Sequence, residues 1–256
     1  MIQNIYTLNV NGLRSAFNKG IYNWIQDEKP EILCMQEIRT SPEKVNIRKF
    51  TDLGYHCYWH PAEKKGYSGV TIFTLKEPDN VFRGMGSPSR DIEGRIIRAD
   101  YDDLTLLNVY IPSGRQNKKR HEHKMEWISD FRYFTENLLM ERKKVIICGD
   151  FNTCHTQKDI HHPEEHEDVS GFTPGEREWF DELLGLGLTD AYRKTHPRKV
   201  QYTWWSPFRN ALEENKGWRI DYFLVTNNIV KKVKDVKIFD NLVLFSDHCP
   251  VKLEMN

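Results

Sequence analysis

The segment KVIICGDFN (144–152) joins an uninterrupted apolar run to a polar end. The run shows no alternation of apolar and polar residues, which is typical of a strand covered on both faces of its sheet. Asp150 and Asn152 follow where the strand is predicted to end. The segment therefore predicts a central, fully buried strand whose end carries polar side chains, and this strand sets the fold class.

Other segments share this strand-like character and alternate with helical patterns without an intervening linker. The further strand candidates are NIYTLNV (4–10), EILCMQE (31–37), GVTIFTL (69–75), RIIRADY (95–101), LTLLNVYI (104–111), QYTWW (201–205), IDYFLVT (220–226) and HCPVKLE (248–254). Helical periodicity covers 19–29 and 118–141, and a capping box opens a helix at Thr173. Strands outnumber helices too far for one doubly wound sheet. We therefore predict an α/β fold of two mixed β-sheets packed face to face with helices outside, forming a single domain over 1–256.

Composition restricts the class of protein. The chain of 256 residues has 37 basic and 37 acidic residues, which argues against a nucleic-acid partner held by bulk charge, although a nuclease needs only one basic face. Its 5 cysteines form no CxxC motif and are odd in number, which favours reduced thiols. No apolar run approaches the length of a membrane span, so we expect a soluble protein of a reducing compartment without a membrane partner.

Polar side chains follow three of the predicted strands. Asn9 and Asn11 follow the first, Glu37 ends the second, and Asp150 and Asn152 end KVIICGDFN. Ligands collect outside the carboxyl ends of strands in open α/β sheets, which predicts one shared cleft. An all-oxygen set of donors suits Mg²⁺ or Mn²⁺. Each residue by itself is equally typical of a turn.

SDHCP (246–250) places an acid beside a histidine near the end of the sequence. In a strand, neighbouring side chains point to opposite faces, so Asp247 is badly placed to orient His248. Asp221 begins the apolar segment IDYFLVT. If the two strands are neighbours, Asp221 fixes the tautomer of His248 and Asp247 faces the metal. The alternative is a structural histidine capped by a local aspartate.

Cationic and aromatic stretches indicate a nucleic-acid surface. RQNKKRHEHK (115–124) holds five Lys or Arg residues. Five phosphate contacts would give a slope of about −4.5 for the logarithm of the DNA-binding constant against the logarithm of salt concentration. The alternative is that these residues form the solvated start of a helix. QYTWWSPFRN (201–210) and Trp218 supply aromatic rings that line a pocket, wedge a duplex or pack in the core. We expect one of the adjacent Trp204 and Trp205 to be core. HHPEEH (161–166) is either a metal-binding tract or a solvated loop.

The motifs LNVNGLR, ILCMQEIR, GYSGV, NVYIPSG, CGDFN, YTWW, GWRIDYFLV and SDHCPV occur in this order over residues 7 to 251. In this the chain resembles the exonuclease III-type apurinic/apyrimidinic endonucleases of the endonuclease/exonuclease/phosphatase superfamily. The resemblance implies a four-layer α/β sandwich and Mg²⁺-dependent hydrolysis of the phosphodiester 5′ to abasic sites in double-stranded DNA. It further implies 3′-hydroxyl and 5′-deoxyribose phosphate products, 3′→5′ exonuclease activity and cleaning of blocked 3′ ends.

The resemblance also implies roles for individual residues. Glu37 is the expected principal metal ligand, with Asn9 and Asn11 nearby and Asp247 acting through water. Asp150 and Asn152 are expected to position or deprotonate the attacking water, Tyr110 to contact the phosphate, and His248 with Asp221 to stabilise the phosphate or act as base. The expected DNA contacts are Lys65, Tyr67, Arg115, Lys124, Trp204, Phe208 and Trp218. Ser113 stands where the family usually has Asn.

The expected partner is double-stranded DNA with abasic sites or blocked 3′ ends, bound by a monomer in the cytoplasm of a prokaryote, associated with the nucleoid. A superfamily phosphatase acting on small phosphoesters would use the same acids and His248 but would not need Trp204, Phe208 or the basic stretch. A DNA-binding module that has lost catalysis is a third possibility. It is disfavoured because every catalytic position holds a chemically competent residue.

Overall fold

The computed structural model describes residues 2–208 and 210–256. Two six-stranded sheets dominate it, and a two-stranded ribbon accompanies them. The strands are β1 (Asn4–Asn9), β2 (Ile32–Gln36), β3 (His56–His60), β4 (Val70–Thr74), β5 (Asn80–Arg83), β6 (Ile96–Tyr101), β7 (Leu104–Tyr110), β8 (Lys144–Asp150), β9 (Leu188–Asp190), β10 (Trp204–Trp205), β11 (Gly217–Trp218), β12 (Asp221–Thr226), β13 (Val233–Ile238) and β14 (Val251–Met255).

Both large sheets are mixed. The first has the order β13-β14-β1-β2-β4-β3 and the second the order β5-β6-β7-β8-β12-β9. Each contains one parallel pair, β1 with β2 and β7 with β8, among antiparallel neighbours. The helices are α1 (Leu13–Asn18), α2 (Ile21–Glu28), α3 (Arg48–Thr51), α4 (Pro88–Asp91), α5 (Lys118–Glu141), α6 (Pro174–Gly185) and α7 (Ala191–Thr195).

The central strand β8 shows why its sequence has no polar alternation. Ile146 and Cys148 are buried in the layer between the two sheets, while Val145 and Ile147 are buried against α5 and α6. Side chains alternate between the faces of a strand, so a strand covered on both faces needs apolar residues at every position. A third apolar cluster packs β1, β2 and β4 against α1 to α3. The order helix, sheet, sheet, helix confirms the predicted four-layer α/β sandwich.

The capping box at α6 is present as predicted, with reciprocal hydrogen bonds between Thr173 and Glu176. The prediction of a strand over 248–254 was wrong at its start, because β14 begins at Val251 and His248 forms only an isolated bridge to Trp204. Within the described ranges, no helix has the length and hydropathy that a membrane crossing requires.

Candidate active site

The two parallel pairs end at the same edge of the sandwich. Asn9 ends β1, Glu37 follows β2, Tyr110 ends β7 and Asp150 ends β8. Asp221 begins β12, which runs antiparallel to β8 and pairs Asp221 directly opposite Asp150. The sequence prediction that polar strand ends meet in one cleft thus matches the placement of these side chains.

The backbone turns sharply just beyond three of these strands. Asn11, Glu37 and Asn152 all have left-handed backbones, with φ of 43°, 53° and 48°. Such conformations are uncommon for residues other than glycine and cluster at functional sites. The Asn11 amide donates to Asn9 Oδ1 at 2.9 Å and the Asn152 amide donates to Asp150 Oδ1 at 2.8 Å. These two local bonds hold the turns and aim the polar side chains into the cleft.

Carboxylates and amides form a connected cluster. Asn9 Nδ2 donates to Glu37 Oε2 at 3.0 Å and to Asp150 Oδ2 at 2.8 Å, so one amide joins the two sheets. Asn11 Nδ2 donates to Asp247 Oδ1 at 2.8 Å. Burial raises the pKa of Asp247, but His248 and the donors from Trp204 and Asn11 lower it further, below its ordinary value.

The buried His248 lies between two carboxylates. Its Nδ1 is 2.9 Å from Asp221 Oδ2 and its Nε2 is 3.9 Å from Asp150 Oδ2. Burial opposes the charged imidazole, but Asp221 outweighs it and raises the pKa of His248 well above its usual range. Burial and the nearby Asp221 raise the pKa of Asp150, against the opposing effect of His248. The group Asp150, Asp221 and His248 therefore combines an acid and an imidazole whose pKa values are both raised.

The contact between His248 and Asp221 is the one that the sequence predicts, but it is made differently. The predicted route was two neighbouring strands of one sheet. In the structure β12 belongs to the second sheet, whereas His248 precedes β14 of the first. The pair therefore bridges the sheets from face to face. Asp247 points away from the imidazole and accepts hydrogen bonds from Asn11 and Trp204.

Tyr110 stands beside Arg95, which sequence reasoning missed. The guanidinium of buried Arg95 lies 4.6 Å from the centre of the Tyr110 ring, and burial and Glu37 raise the pKa of the Tyr110 hydroxyl. Arg95 and Arg120 both donate to the hydroxyl of Tyr67, at 3.1 and 2.9 Å. A charged residue directly before the apolar start of a strand, as in RIIRADY (95–101), is the signal that would have identified Arg95.

Two adjoining spaces open at this edge. A cleft of about 360 Å³ holds the acids, His248, Tyr67, Tyr110 and Ser113. A cavity of about 600 Å³ beside it is lined by Phe208, Trp218 and imidazoles of the HHPEEH tract. Arg115 and Trp204 line both spaces. A larger cavity of about 780 Å³, beside α1 and α2, contains none of the predicted catalytic residues.

The predicted DNA contacts differ widely in exposure. Phe208 is 74% exposed and Trp218 only 4%. Trp205 is buried in the core as expected of one of the adjacent tryptophans, while Trp204 is only partly buried. Lys65 is exposed and lines a small recess next to Tyr67.

Lys124 does not reach the surface, so the prediction that it contacts DNA was wrong. It is 0% exposed, and its ammonium is bound by Glu176 Oε1 at 2.6 Å, the Asn152 carbonyl at 2.7 Å and Thr153 Oγ1 at 2.9 Å. Helical periodicity turns this position of α5 inward, onto the loop after β8. Lys124 therefore stabilises the turn at Asn152 and Thr153 through hydrogen bonds and is not available to bind phosphate.

The HHPEEH tract forms a wall of the cavity. His162, Glu164 and Glu165 offer donor atoms within 4.8 Å of one another, and all three are exposed. The rings of His161 and His166 lie 5.0 Å apart, and His166 is 5.3 Å from Trp218. The tract is thus more than a solvated loop, because two of its imidazoles pack beside the aromatic pocket.

Comparison with known proteins agrees with this geometry. The model of the endonuclease/exonuclease/phosphatase family matches residues 6–248. The chain is 36% identical to an exodeoxyribonuclease of Bacillus subtilis over 97% of both proteins. It is 38% identical to the DNA repair nuclease APEX1 of Danio rerio, over 97% of this chain and 81% of that protein.

Solved structures give the same result. An AP endonuclease from Archaeoglobus fulgidus superposes with a TM-score of 0.91 at 30% identity, covering 99% of both chains. A 3′ phosphatase from Neisseria, bound to a product DNA hairpin, superposes with a TM-score of 0.92 at 30% identity, also over 99% of both chains. The acid and histidine cluster Asp150, Asp221 and His248 could hold a metal ion. The chain is a nuclease hydrolase and belongs to the endonuclease/exonuclease/phosphatase family.

Proposed function

We propose that the protein hydrolyses the phosphodiester on the 5′ side of abasic sites in double-stranded DNA and also acts on blocked or normal 3′ ends. The observation that carries this proposal is the Asp221–His248–Asp150 group, which faces the amide and carboxylate cluster in a cleft walled by Trp204. The adjoining cavity, with its rings of Trp218 and Phe208, supplies space for a sugar without a base. Relatives named as exodeoxyribonuclease and AP endonuclease support the same class of substrate.

The donor set suits a magnesium ion. Glu37, Asp150 and Asp247 offer carboxylate oxygens to the cleft, and Asn9 and Asn11 offer amide oxygens, so oxygen donors predominate among the lining side chains. Mg²⁺ prefers such oxygen ligands and retains water and substrate phosphate in its shell, and Mn²⁺ substitutes for it. We assign Glu37 as the principal ligand. When bound, the ion would neutralise charge that develops on the phosphate and on the leaving oxygen.

The remaining residues divide the chemistry between them. Asp150, whose pKa burial raises, is suited to accept the proton of the attacking water, and Asn152 holds it at 2.8 Å through its backbone amide. His248, kept protonated by Asp221, presents a positive charge to the phosphate. Tyr110 offers its hydroxyl to a phosphate oxygen. The raised pKa makes the Asp150 carboxylate a stronger base, while Asp221 favours the charged form of His248.

Strand cleavage tests the proposal. A labelled duplex with one tetrahydrofuran abasic analogue is incubated with Mg²⁺ and with EDTA, beside an undamaged duplex. We expect metal-dependent incision only 5′ to the analogue, and a loss of about 100-fold or more in Glu37→Gln, as for removal of an essential catalytic group. Glu43→Gln, an exposed acid outside the cleft, is the matched control and should retain the wild-type rate.

Two results would contradict the proposal. Hydrolysis of small phosphoesters without any cleavage of DNA would indicate a phosphatase. Tight binding of the duplex without cleavage in Mg²⁺ or Mn²⁺ would indicate a DNA-binding module.

A further inference from the structure

Arg115 occupies an unusual place in the aromatic pocket. Its guanidinium lies 4.4 Å from the ring centre of Trp204 and 4.0 Å from that of Trp218. These two rings meet edge to face at 86°, so the planar cation fits the corner between them. Each cation–π contact contributes about 0.5 to 2 kcal/mol, depending on how far the pair is removed from water. The arginine is therefore held in the pocket by two favourable contacts.

Arg115 lies at the boundary between the catalytic cleft and the aromatic cavity. It lines the catalytic cleft on one side and the cavity of Trp218 and Phe208 on the other. Arg115 thus borders both the space of the predicted catalytic residues and the aromatic cavity. A sugar that occupied the corner between the two indoles would have to displace the guanidinium.

The guanidinium also lacks a counter-ion. Among residues 2–208 and 210–256, no carboxylate lies within 4.0 Å of Arg115 and no side chain forms a hydrogen bond with it. Lys216 lines the same cavity, where Glu165 is the single acid among the described lining residues. Arginine has five N–H donors arranged to match a phosphate or a carboxylate. The pocket therefore presents a guanidinium that is open to solvent and has no paired carboxylate among the described residues.

We propose that Arg115 is a specificity-determining residue that favours 3′ ends blocked by an anionic group, a phosphate or a glycolate ester of phosphate, over internal abasic sites. This inference rests on the proposed function and ranks its substrates. In 3′-phosphate removal, the oxygen of water bonds to phosphorus, the P–O3′ bond breaks, O3′ takes a proton and inorganic phosphate leaves. The group that faces the pocket is then an ionised oxygen or a carboxylate, which Arg115 binds. In abasic-site incision the group is a neutral sugar, which Arg115 obstructs.

The test is a ratio of two rates. One nicked duplex carries a 3′-phosphate and a second duplex carries an internal tetrahydrofuran, and kcat/KM is measured for both. In Arg115→Gln we expect 3′-phosphate removal to fall by about tenfold or more, the loss of one hydrogen bond to a charged group. Because Arg115 also belongs to the basic stretch that is expected to contact DNA, the decisive value is the ratio of kcat/KM for 3′-phosphate removal to kcat/KM for tetrahydrofuran incision, which should fall about tenfold. Arg115→Lys keeps the charge but not the planar fork of donors. Its ratio should lie between those of the wild type and Arg115→Gln.

Lys118→Gln is the matched control, because it removes one exposed positive charge from the same stretch without contact to either tryptophan. It should lower both rates in parallel and leave the ratio unchanged. A ratio in Arg115→Gln within about twofold of wild type would overturn the inference.

Failure of the proposed function is distinguishable from failure of this inference. If the wild type cleaves neither duplex, the proposed function fails, and the role of Arg115 is then read from binding in EDTA. Tighter binding of the 3′-phosphorylated than of the 3′-hydroxyl duplex by the wild type, lost in Arg115→Gln, would support anion recognition. Equal affinities for the two duplexes would reject it.

Discussion

His248 has a carboxylate near each of its ring nitrogens, and its charge depends chiefly on one of them. Asp221 accepts from Nδ1 at 2.9 Å, while Asp150 lies 3.9 Å from Nε2. Because Asp221 raises the pKa of His248, replacing it with a neutral amide lets the imidazole lose its proton at lower pH. The buried pair thus favours one tautomer and a positive charge on the imidazole that lines the cleft.

We therefore expect Asp221→Asn to lower the single-turnover incision rate by about 100-fold or more, a typical effect of a positioned acid or base. The remaining activity depends on protonated His248. As pH is raised, it should therefore begin to decline at a lower pH than the activity of the wild type does. The measurement is a pH–rate profile on the tetrahydrofuran duplex. Asp235→Asn is the control, since Asp235 lies 3.5 Å from His196 in a partly exposed pair away from the cleft. Activity within twofold of wild type in Asp221→Asn would remove the pair from the mechanism.

At the scale of elements, the first residues of β12 are fixed by a single hydroxyl. Thr203 Oγ1 accepts from the backbone amides of Ile220 and Asp221 at 3.0 and 3.1 Å, and all three residues are buried. The Thr203 carbonyl also accepts from the Cys249 amide at 2.9 Å, next to His248. Thr203 thereby ties the strand that carries Asp221 to the segment that carries the histidine.

Thr203→Val keeps the shape of the side chain but leaves two buried amides without an acceptor. Each unsatisfied buried group costs about 1 to 3 kcal/mol, so we expect a clear loss in the free energy of unfolding, measured by urea denaturation. We also expect the incision rate per folded molecule to fall, with kcat affected more than KM, because the Asp221–His248 contact loosens. Thr203→Ser retains the hydroxyl and should restore both properties. Equal behaviour of the two variants would show that the hydroxyl is dispensable.

Helices α5 and α6 are joined by a buried ion pair in addition to their apolar contacts. Lys124 and Glu176 are both 0% exposed, with Nζ 2.6 Å from Oε1. Lys124→Met leaves a buried carboxylate without its cation, which destabilises proteins by about 3 to 5 kcal/mol. We expect a loss of this size in urea unfolding at pH 7. Lys119→Met on the exposed face of α5 is the control and should change stability little.

The same pair predicts the direction of acid sensitivity. Burial raises the pKa of Glu176, but Lys124 and the local hydrogen bonds lower it from its ordinary 4.5 to about 2. A carboxyl whose pKa is lowered by folding stabilises the fold above its unfolded pKa, and this contribution is lost as pH falls through the folded value. Unfolding free energies measured from pH 5 to pH 2 should therefore fall less in Glu176→Gln than in the wild type. Parallel curves would contradict the assignment.

The sequence was most informative where an element is covered on both faces. β1, β2, β4, β7, β8 and β12 are rich in apolar residues, are buried along almost their whole length, and were all predicted. The edge strands β3, β5 and β13 were missed, because their partly exposed positions carry His, Asn, Lys and Asp and look like loops. The polar ends of the buried strands revealed the cleft. Arg95 escaped notice and Lys124 was misplaced, because the sequence alone does not say which charged side chains turn inward.

At the scale of the whole molecule, a net charge of zero conceals an uneven distribution. The stretch 115–124 was expected to supply five phosphate contacts, but with Lys124 buried four cations remain, namely Arg115, Lys118, Lys119 and Arg120. Lys118 and Lys119 are exposed near the cleft mouth, at the start of α5. Lys231 and Lys232 are equally exposed beyond the far end of β12, at the edge of the sandwich opposite the catalytic residues.

This asymmetry predicts the salt dependence of DNA binding. Each phosphate contact contributes about −0.9 to the slope of log affinity against log salt concentration, so Lys118→Gln/Lys119→Gln should reduce the slope by about 1.8. The dissociation constant of an uncleaved duplex is measured in EDTA between about 50 and 200 mM salt. Lys231→Gln/Lys232→Gln makes the same change in net charge at the opposite edge and should leave the slope as in the wild type. If both double variants shift the slope equally, DNA responds to the overall charge and not to a face organised around the cleft.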